Sequence, residues 1–440
     1  MQSWPLVLAL LPGIAAVIFA IVRTPALLLA AYATVLPFGS SMMVPLGLPD
    51  EFQTVSTLAG LLASVGLVAH LAVTRRSAGR LPAPLPWWLL FLGAVTLTLA
   101  WSIAPARSLN QLVVLVSLVA LYVVGVLPRF GREDLRVIEG GIGLSGALTG
   151  GYALLLLATG NMHTSGQGTP RFQIAGGGGE GGDANTTAAA LILPFVVSLV
   201  CAFGDRQGAA RTRFLVAAAL SGAGITLTGS RGGMVGVAVA ILILAADDRR
   251  RHARLAYLSI PVAVIAIVLS FAPEGTQDRY ERDTTSGRDL IWSIGVDACR
   301  DHCVQGSGWH TFSPLFTEYF LDRPDTTRTR TTFNPHSIWI RVAVEGGLAA
   351  TIAMLGAFGS TFRESWKLPA WRRGPPLAAF TALLVTNSFL GNLDFKYFWL
   401  VLMYVSWVAS VHWHEARQDA AGALAGEASS DPGLSSVSGS

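Results

Sequence analysis

The sequence predicts an all-α polytopic membrane protein with about 12 transmembrane helices and one large loop outside the membrane. Of its 440 residues, 52% are hydrophobic and only 13% charged, with a mean hydropathy of +0.52, whereas a soluble domain carries about 25% charged residues. Apolar runs recur from Pro5 to Val411, and many are long enough to cross the roughly 30 Å hydrocarbon core of a bilayer. Basic residues are concentrated in alternate connections between these runs, as the positive-inside rule describes for cytoplasmic loops.

The apolar segments follow one another closely, apart from one long polar interval. They cover about residues 4–22, 25–38, 54–73, 85–103, 108–127, 137–158, 186–203, 213–228, 232–246, 254–272, 336–360, 376–391 and 397–412. The first segment lacks a basic start, so we interpret it as a retained membrane segment and not a signal peptide. Because 25–38 is short for a span, residues 4–38 cross either twice or once. We favour about 12 net spans with both ends in the cytoplasm.

Charge gives these segments an orientation. Arginine-rich connections follow the third, fifth, seventh, ninth and eleventh segments, which predicts that they are cytoplasmic. The outward loops are then residues 39–53, 104–107, 160–183, 229–231, 273–335 and 391–396. The predicted organisation is therefore nine or ten membrane helices in 1–272, a large outer loop with short helices in 273–335, further membrane helices in 336–412, and a tail in 413–440. The tail, rich in Ala, Gly and Ser from Ala416 onward, is predicted to be disordered.

The outer loop ends at Asn334-Pro335-His336-Ser337, where the polarity stops and a membrane helix begins. Asn334 suits the N-cap of that helix, and Pro335 suits its first position. The positive end of the helix dipole disfavours an imidazolium, so a neutral His336 is suited to act as a base toward a hydroxyl. An interfacial histidine that only binds lipid headgroups explains the same pattern equally well.

Two arginines are candidates for binding phosphate. Arg231 follows Thr228-Gly229-Ser230 in a tight outward turn, where backbone N–H groups at a helix start and a guanidinium together form a plausible phosphate site. Arg288 opens an amphipathic stretch, predicted to lie on the membrane surface, whose apolar side is formed by Leu290, Ile291, Ile294 and Ala298. A snorkelling anchor for Arg231 and a surface pair of Arg288 with Asp289 are the alternatives.

An Arg/Glu pair and two carboxylates also attract attention. Arg341 and Glu345 lie four residues apart in the following helix, and we assign them a structural role. Glu345 is a poor partner for His336, since it lies about 180° away around that helix. Asp50 and Glu51, in the first outward loop, are the main competitors of His336 for the role of base.

Several chemistries are not indicated by the sequence. It contains no Gly-x-x-x-x-Gly-Lys-Ser/Thr motif, no Asp-x-Asp motif and no His/Cys cluster with convincing metal spacing. We therefore expect neither a nucleotide nor a metal cofactor. Cys299 and Cys303 are expected to remain unbridged, because a spacing of four residues on a helix is not ideal for a disulfide.

Taken in order, five motifs resemble those of the O-antigen ligase family, the wider group that includes O-antigen polymerases and oligosaccharyl ligases. They are Asp183-Ala184-Asn185, Thr228-Gly229-Ser230-Arg231-Gly232-Gly233, Ser286-Gly287-Arg288, Gly306-Ser307-Gly308-Trp309-His310-Thr311-Phe312, and Asn334-Pro335-His336-Ser337 with Glu345-Gly346-Gly347. The family often has His-Asn at the end of the loop, whereas here Asn and Pro precede His336.

The resemblance implies a GT-C-like glycosyltransferase of the bacterial inner membrane, active on its periplasmic face in lipopolysaccharide biosynthesis. The implied donor is a glycan on undecaprenyl pyrophosphate, and the acceptor is a sugar hydroxyl of lipid A–core. Since the pyrophosphate is already activated, transfer would be inverting and independent of metal and ATP, without a nucleic-acid partner. The implied site residues are His336 as catalytic base, Arg231 and Arg288 for the pyrophosphate, and Asn185, Trp309, His310 and Asn334 in secondary contacts. An O-antigen polymerase with the same donor, or a lipid-glycan transporter, remains the alternative.

Overall fold

The structure, a computed structural model, describes residues 24–38, 54–74, 80–164, 170–174, 183–204, 207–248, 250–281, 287–321 and 333–429. The helices of its first half are α1 (Pro25–Val35), α2 (Val55–Thr74), α3 (Leu85–Leu97), α4 (Pro105–Val126), α5 (Arg132–Ala158), α6 (Ala184–Phe203) and α7 (Gly208–Leu227). Those of its second half are α8 (Arg231–Asp247), α9 (Arg251–Phe271), α10 (Glu274–Glu281), α11 (Arg288–His302), α12 (Phe312–Leu321), α13 (Ile338–Trp366), α14 (Ala370–Asn387) and α15 (Lys396–Ser429). Short 3-10 turns follow α1 and α3 at Leu36–Phe38 and Thr98–Trp101, and β1 (His163–Thr164) pairs antiparallel with β2 (Pro170–Arg171).

The predicted all-helical fold is confirmed. Within the described residues, six helical stretches are long and apolar enough to cross a membrane: Val55–Val73, Pro105–Val126, Arg132–Ala158, Ala184–Phe203, His252–Phe271 and Ile338–Trp366. Pro25–Phe38 and Leu85–Trp101 are apolar but shorter. These helices indicate a multi-pass membrane protein, while the count of about 12 crossings stays a prediction. The first predicted segment, residues 4–22, lies outside the described residues.

Helix α15 packs in the interior through large aromatic side chains. The ring centroid of Trp399 lies 4.9 Å from that of Trp88 in α3. The indole of Trp407 donates a 2.8 Å hydrogen bond to the Gly125 carbonyl of α4. Both tryptophans of α15 are almost completely buried. Buried aromatic rings contribute large contact areas, so α15 is held firmly against α3 and α4. Its first residues are thereby fixed at the end of the bundle where the candidate site lies.

The segment predicted as the large outer loop contains the expected short helices, α10 to α12. Helices α11 and α12 form a small apolar core against α13, made by Ile291, Ile294, Ala298, Phe312, Leu315, Phe316, Phe320 and Val344. The predicted apolar side of α11 is therefore buried, as its sequence pattern indicated. This packing orients the start of α11, where Arg288 lies.

A glycine kink in α13 receives the segment between α11 and α12. Gly347 has a φ of +72° within the helix, a backbone conformation that residues other than glycine rarely adopt. A Cβ on Gly347 would lie 2.7 Å from the backbone nitrogen of Gly306. The kink exposes the carbonyls of Val344 and Glu345, which accept hydrogen bonds from the N–H groups of Ser307 (2.9 Å) and Gly308 (3.1 Å). The Glu345-Gly346-Gly347 motif is thus a docking point for residues 304–308.

The predicted start of α13 is wrong. The helix begins at Ile338 with Ser337 as its N-cap, and that cap makes no side-chain hydrogen bond. His336 has a φ of +45°, which is left-handed backbone and cannot continue into a helix. His336 therefore precedes the helix, and its angular distance from Glu345 around a common axis has no meaning.

Two other expectations are also corrected. Cys299 and Cys303 form a disulfide with a Cα–Cα distance of 4.6 Å, which lies within the usual range. This spacing is attainable because Cys303 is the C-cap of α11, where the helix ends. The tail is not disordered from Ala416, because α15 continues to Ser429; its alanines favour helix and outweigh its glycines. Residues 430–440 lie outside the described residues.

Candidate active site

The connection between α14 and α15, residues 388–395, is the structural centre of the candidate site. At its start, Ser388 accepts a 2.9 Å hydrogen bond from the Trp339 indole of α13. Asn392 donates to the hydroxyl of Thr186 in α6 at 3.1 Å. Immediately after the connection, Lys396 donates to the hydroxyl of Ser56 in α2 at 2.7 Å. One short segment thus joins elements that are far apart in sequence, most of them at connections predicted to face the same side of the membrane.

A buried ionic cluster surrounds Arg341, which lies in the first turn of α13. Its guanidinium contacts Glu345 at 3.2 Å and Asp394 at 2.5 Å, and it also donates to the Gly391 carbonyl. All three ionised side chains are at most 5% exposed. The guanidinium stacks over the Trp309 ring, 4.6 Å from its centroid. Buried charges are stable only when they are paired and hydrogen-bonded, and here Arg341 serves both carboxylates.

Glu345 connects this cluster to the segment before α12. Its carboxylate accepts the backbone N–H groups of His310 at 2.8 Å and Phe312 at 3.0 Å. The second bond satisfies one of the unpaired donors at the start of α12. The structural role expected for the Arg341–Glu345 pair is therefore to fix the backbone on both sides of Thr311.

Asp394 remains ionised in this environment. Burial raises the pKa of its carboxyl group, but the interactions with Arg341 and His310 together outweigh that effect and hold the pKa below its usual range. One carboxylate oxygen, Oδ1, is buried without a hydrogen-bond partner among the described residues. A buried acceptor left without a donor costs about 1–3 kcal/mol, which marks this carboxylate as a place where a donor is missing.

The contacts of His310 define its tautomer. Its Nδ1 lies 2.8 Å from Nη2 of Arg341 and 3.8 Å from the Asp394 carboxylate. A guanidinium can only donate, so this contact requires Nδ1 as the acceptor and places a ring proton on Nε2. No contact of Nε2 with the described residues is present, and the side chain is 15% exposed. His310 also has a φ of +63°, a strained conformation that surrounding contacts must maintain. The ring thus presents a fixed N–H donor.

Arg231 begins α8 beside elements of α6 and β2. Ser230 is the N-cap of α8, and its hydroxyl accepts from the Gly233 N–H at 3.2 Å. The preceding Thr228 carbonyl accepts a 2.7 Å bond from the buried Arg171 guanidinium, which also donates to Asn185 at 3.2 Å. The predicted helix-start turn is therefore present, and Arg171 ties it to Asn185. Arg171 was not singled out from the sequence.

Arg288 approaches this turn through Phe389 of the α14–α15 connection. The Arg288 guanidinium lies 6.0 Å from the Phe389 ring centroid. On the other side, a Cβ on Gly232 would lie 3.6 Å from Phe389. The starts of α8 and α11 thus flank one side chain, so the two arginines predicted to bind phosphate belong to neighbouring elements. Both side chains are half-buried.

His336 adjoins the same connection. It is half-buried, and its neighbour Pro335 lies 3.7 Å from the position of a Cβ on Gly391. Gly391 is the residue whose carbonyl is bound by Arg341. Its left-handed backbone makes His336, together with His310, one of two non-glycine residues of positive φ in the described chain. Such residues are uncommon and concentrate at functional sites.

The remaining predicted residues have different surroundings. Trp309 is buried below Arg341, and its carbonyl accepts a 2.7 Å hydrogen bond from Ser108 of α4. Asn185 is bound to Arg171 and to the N-cap Asp183. Asn334 is exposed and does not cap α13. Asp50 and Glu51 lie outside the described residues.

Sequence reasoning missed Asp394, which is buried beside Arg341 and His310. A signal was present: Asp394 is the single carboxylate in the outward connection 391–396 between two apolar segments, where Lys396 is the other charged residue. An unpaired charge at such a position needs a partner, the same reasoning that drew attention to Arg231. No group of three or more His, Cys, Asp or Glu side chains that could hold a metal ion occurs in the described part of the chain.

Comparison with known proteins identifies the central part of the chain. Residues 216–355 match the family model described as O-antigen ligase. The matched segment runs from α7 into α13 and includes Arg231, Arg288, His310 and His336. This match confirms the resemblance for the four motifs that lie within residues 216–355. The chain matches no curated protein with which it was compared.

Proposed function

We propose that the protein transfers a glycan from undecaprenyl pyrophosphate to a sugar hydroxyl of lipid A–core, since residues 216–355 match the family model described as O-antigen ligase. The observation that carries this proposal is the convergence, on the α14–α15 connection, of the starts of α8 and α11 with the Arg341 cluster. The guanidinium groups of Arg288 and Arg341, the starts of α8 and α11, and the two histidines thereby adjoin one short segment. That combination suits a lipid-linked pyrophosphate donor and a hydroxyl acceptor.

The pyrophosphate would be bound by Arg231 and Arg288. Guanidinium groups bind phosphate oxygens through two parallel hydrogen bonds, and the N-terminus of a helix adds backbone donors and a favourable dipole. As the bond between the anomeric carbon and the phosphate oxygen breaks, negative charge grows on the leaving group. Fixed positive charge at that place stabilises the transition state more than the ground state.

His336 would accept the proton of the acceptor hydroxyl as its oxygen attacks the anomeric carbon. The positive end of α13 begins two residues later, and it favours the neutral imidazole that a base requires. The hydroxyl oxygen forms the new glycosidic bond, the pyrophosphate leaves with the electron pair of the old one, and the carbon is inverted. His310 would act differently, because its Nδ1 is occupied by Arg341. It donates from Nε2 to a substrate oxygen.

Transfer with purified lipids tests the proposal. His336→Ala should lower the rate by about 10²–10⁴-fold, the usual effect of removing a general base, while donor binding persists. His252→Ala, an exposed histidine at the start of α9, is the matched control. Asp50→Asn and Glu51→Gln test the competing bases: near-normal transfer by His336→Ala with loss in either of these variants would refute the assignment.

The acceptor distinguishes a ligase from a polymerase. Offered lipid A–core and a second lipid-linked glycan separately, the wild-type protein should extend only lipid A–core. Extension of the lipid-linked glycan alone would identify a polymerase that uses the same donor. Consumption of neither, with movement of the donor between leaflets of a vesicle, would identify a transporter.

The orientation of the site can be tested separately. The Cys299–Cys303 disulfide supports a location on the oxidising, periplasmic side of the inner membrane. Single cysteines at Thr326 and at Arg250, in a background without the native cysteines, should react from opposite sides of the membrane, with Thr326 accessible from outside. Reaction of both from one side would contradict the proposed topology.

A further inference from the structure

A basic cavity of about 270 Å³ lies near the far end of α15, lined by Arg80, Arg129, Phe130, Ser410, Trp413, His414, Arg417, Gln418 and Ala421. Arg417 follows Lys396 by 21 residues on one helix, a separation of about 30 Å along the axis. The cavity is therefore removed from the candidate active site by about the thickness of the hydrocarbon core. It belongs to the end of the bundle that the arginine-rich connections predict to be cytoplasmic.

The arginines of this cavity lack the carboxylate partners that others at the same end have. Arg372 pairs with Glu415, Arg373 with Asp247 and Arg250 with Asp248. The lining contains no acidic side chain, and no described residue forms an ion pair with Arg80, Arg129 or Arg417. Glu364, which interacts electrostatically with Arg80, is not part of the lining and accepts the Ala83 N–H at 2.8 Å. Among the described residues, the cavity arginines therefore form no ion pair, although the charge of Glu364 acts on Arg80.

The three arginines come from separate parts of the chain. Arg80 follows α2, Arg129 follows α4, and Arg417 lies on α15. All three line one cavity, so the segments after α2 and α4 pack beside α15 at this point. Arginines spread over a cytoplasmic surface would not need to share a cavity.

The floor of the cavity is apolar and aromatic. Arg80 lies 5.9 Å from the Trp413 ring centroid, and the buried Phe130 packs against Trp407 at 6.1 Å. A basic rim above an apolar floor, at the end of a membrane helix, matches a phospholipid, which joins a phosphate to a glycerol and acyl chains. Free phosphate offers no group for the floor.

We propose that this cavity binds the phosphate of an anionic phospholipid from the cytoplasmic leaflet. Basic pockets between membrane helices on this side bind anionic headgroups, and arginine forms strong bidentate hydrogen bonds to phosphate. The site is independent of the transfer reaction. Binding fixes the far end of α15, the helix whose other end follows the segment at the centre of the candidate active site.

The test uses the full-length protein in vesicles of phosphatidylcholine, with or without phosphatidylglycerol. Phosphatidylglycerol should raise the unfolding temperature of the wild-type protein and should remain attached in native mass spectrometry. The double variant Arg129→Gln/Arg417→Gln should bind it about 30-fold more weakly, since each arginine contributes about fivefold in affinity near an anionic lipid. Arg363→Gln, an exposed arginine of α13 outside the cavity, should bind as tightly as the wild type.

The control arms make the outcome decisive. In pure phosphatidylcholine the double variant should unfold at the wild-type temperature; if it does not fold there, Arg417→Gln alone is measured in the same way. Equal binding of phosphatidylglycerol by wild type and arginine variants would overturn the proposal. Equal protection by inorganic phosphate would also overturn it, because the ligand would then be a free anion.

Discussion

Replacement of Arg341 by methionine gives a quantitative test of the ionic cluster. Arg341 is the only described arginine or lysine that forms an ion pair with Glu345 or Asp394, each of which has a side chain that is 2% exposed. Methionine keeps much of the length of arginine but removes its charge and its donors. Both carboxylates are then left buried without a counter-charge, and breaking a buried ion pair in this way costs about 3–5 kcal/mol.

Other contacts of Arg341 add to this cost. The stacking of its guanidinium over Trp309 at 4.6 Å contributes up to about 2 kcal/mol when it is desolvated. Its bond to Nδ1 of His310 is lost as well, so His310 is free to change tautomer. We therefore expect Arg341→Met to lower the free energy of unfolding by at least about 3 kcal/mol, measured by reversible unfolding in mixed micelles.

A compensated variant separates charge from packing. In the triple variant Arg341→Met/Glu345→Gln/Asp394→Asn no buried charge remains, and neutral replacements of buried ion pairs are often well tolerated. The triple variant should therefore be more stable than Arg341→Met alone. A cost of less than about 1 kcal/mol for Arg341→Met, or a triple variant no more stable than the single one, would refute this account of the cluster.

Three further predictions follow from other features. Gly347→Ala should lower the free energy of unfolding by about 2–4 kcal/mol in the same assay, because it forces a side chain into positive φ and against Gly306; no change would show that residues 304–308 do not dock at the kink. Cys303→Ser should lower the free energy of unfolding by about 2 kcal/mol, the chain-entropy value for so short a loop. Mass spectrometry of the wild type without reductant should find Cys299 and Cys303 unreactive toward a thiol label. Labelling of Cys299 in the wild type would contradict the bridge. The pKa of Asp394 is held below its ordinary value, so its ionised carboxylate stabilises the folded protein fully above about pH 4, and this stabilisation is lost as the pH falls below that value. Asp394→Asn should therefore lose less stability than the wild type between pH 5 and pH 3. An identical acid profile for the two proteins would show that Asp394 does not titrate there.

The sequence was most informative where a local pattern determines structure. Hydropathy located the helices, because long apolar runs have few alternatives in a membrane. The apolar face of α11 was correctly predicted, since it depends on neighbours within one or two helical turns. The same local reasoning failed at Asn334-Pro335, which fit a helix start by composition. There the left-handed backbone of His336, which contacts from other segments must stabilise, delays the helix to Ile338.

The site itself depended on contacts that no local pattern contains. Asp394 and Arg341 are 53 residues apart, as their numbers give, and their pairing requires α14 and α15 to return beside the start of α13. The tautomer of His310 follows from Arg341, and the docking of residues 304–308 follows from a kink in another helix. Such information lies in tertiary packing, so the sequence motifs could not show which residues contact one another.

The position of the α14–α15 connection late in the chain has a consequence for biosynthesis. Residues 216–355 contain the arginines and histidines of the candidate site, but Asp394 and Gly391 are made only afterwards. Until then Arg341 lacks one of its two carboxylates and its carbonyl acceptor, and Phe389 does not yet separate the starts of α8 and α11. A nascent chain that has inserted only the matched segment therefore lacks the contacts that fix the candidate site. If the proposed function is correct, we expect such incomplete chains not to consume the lipid-linked donor.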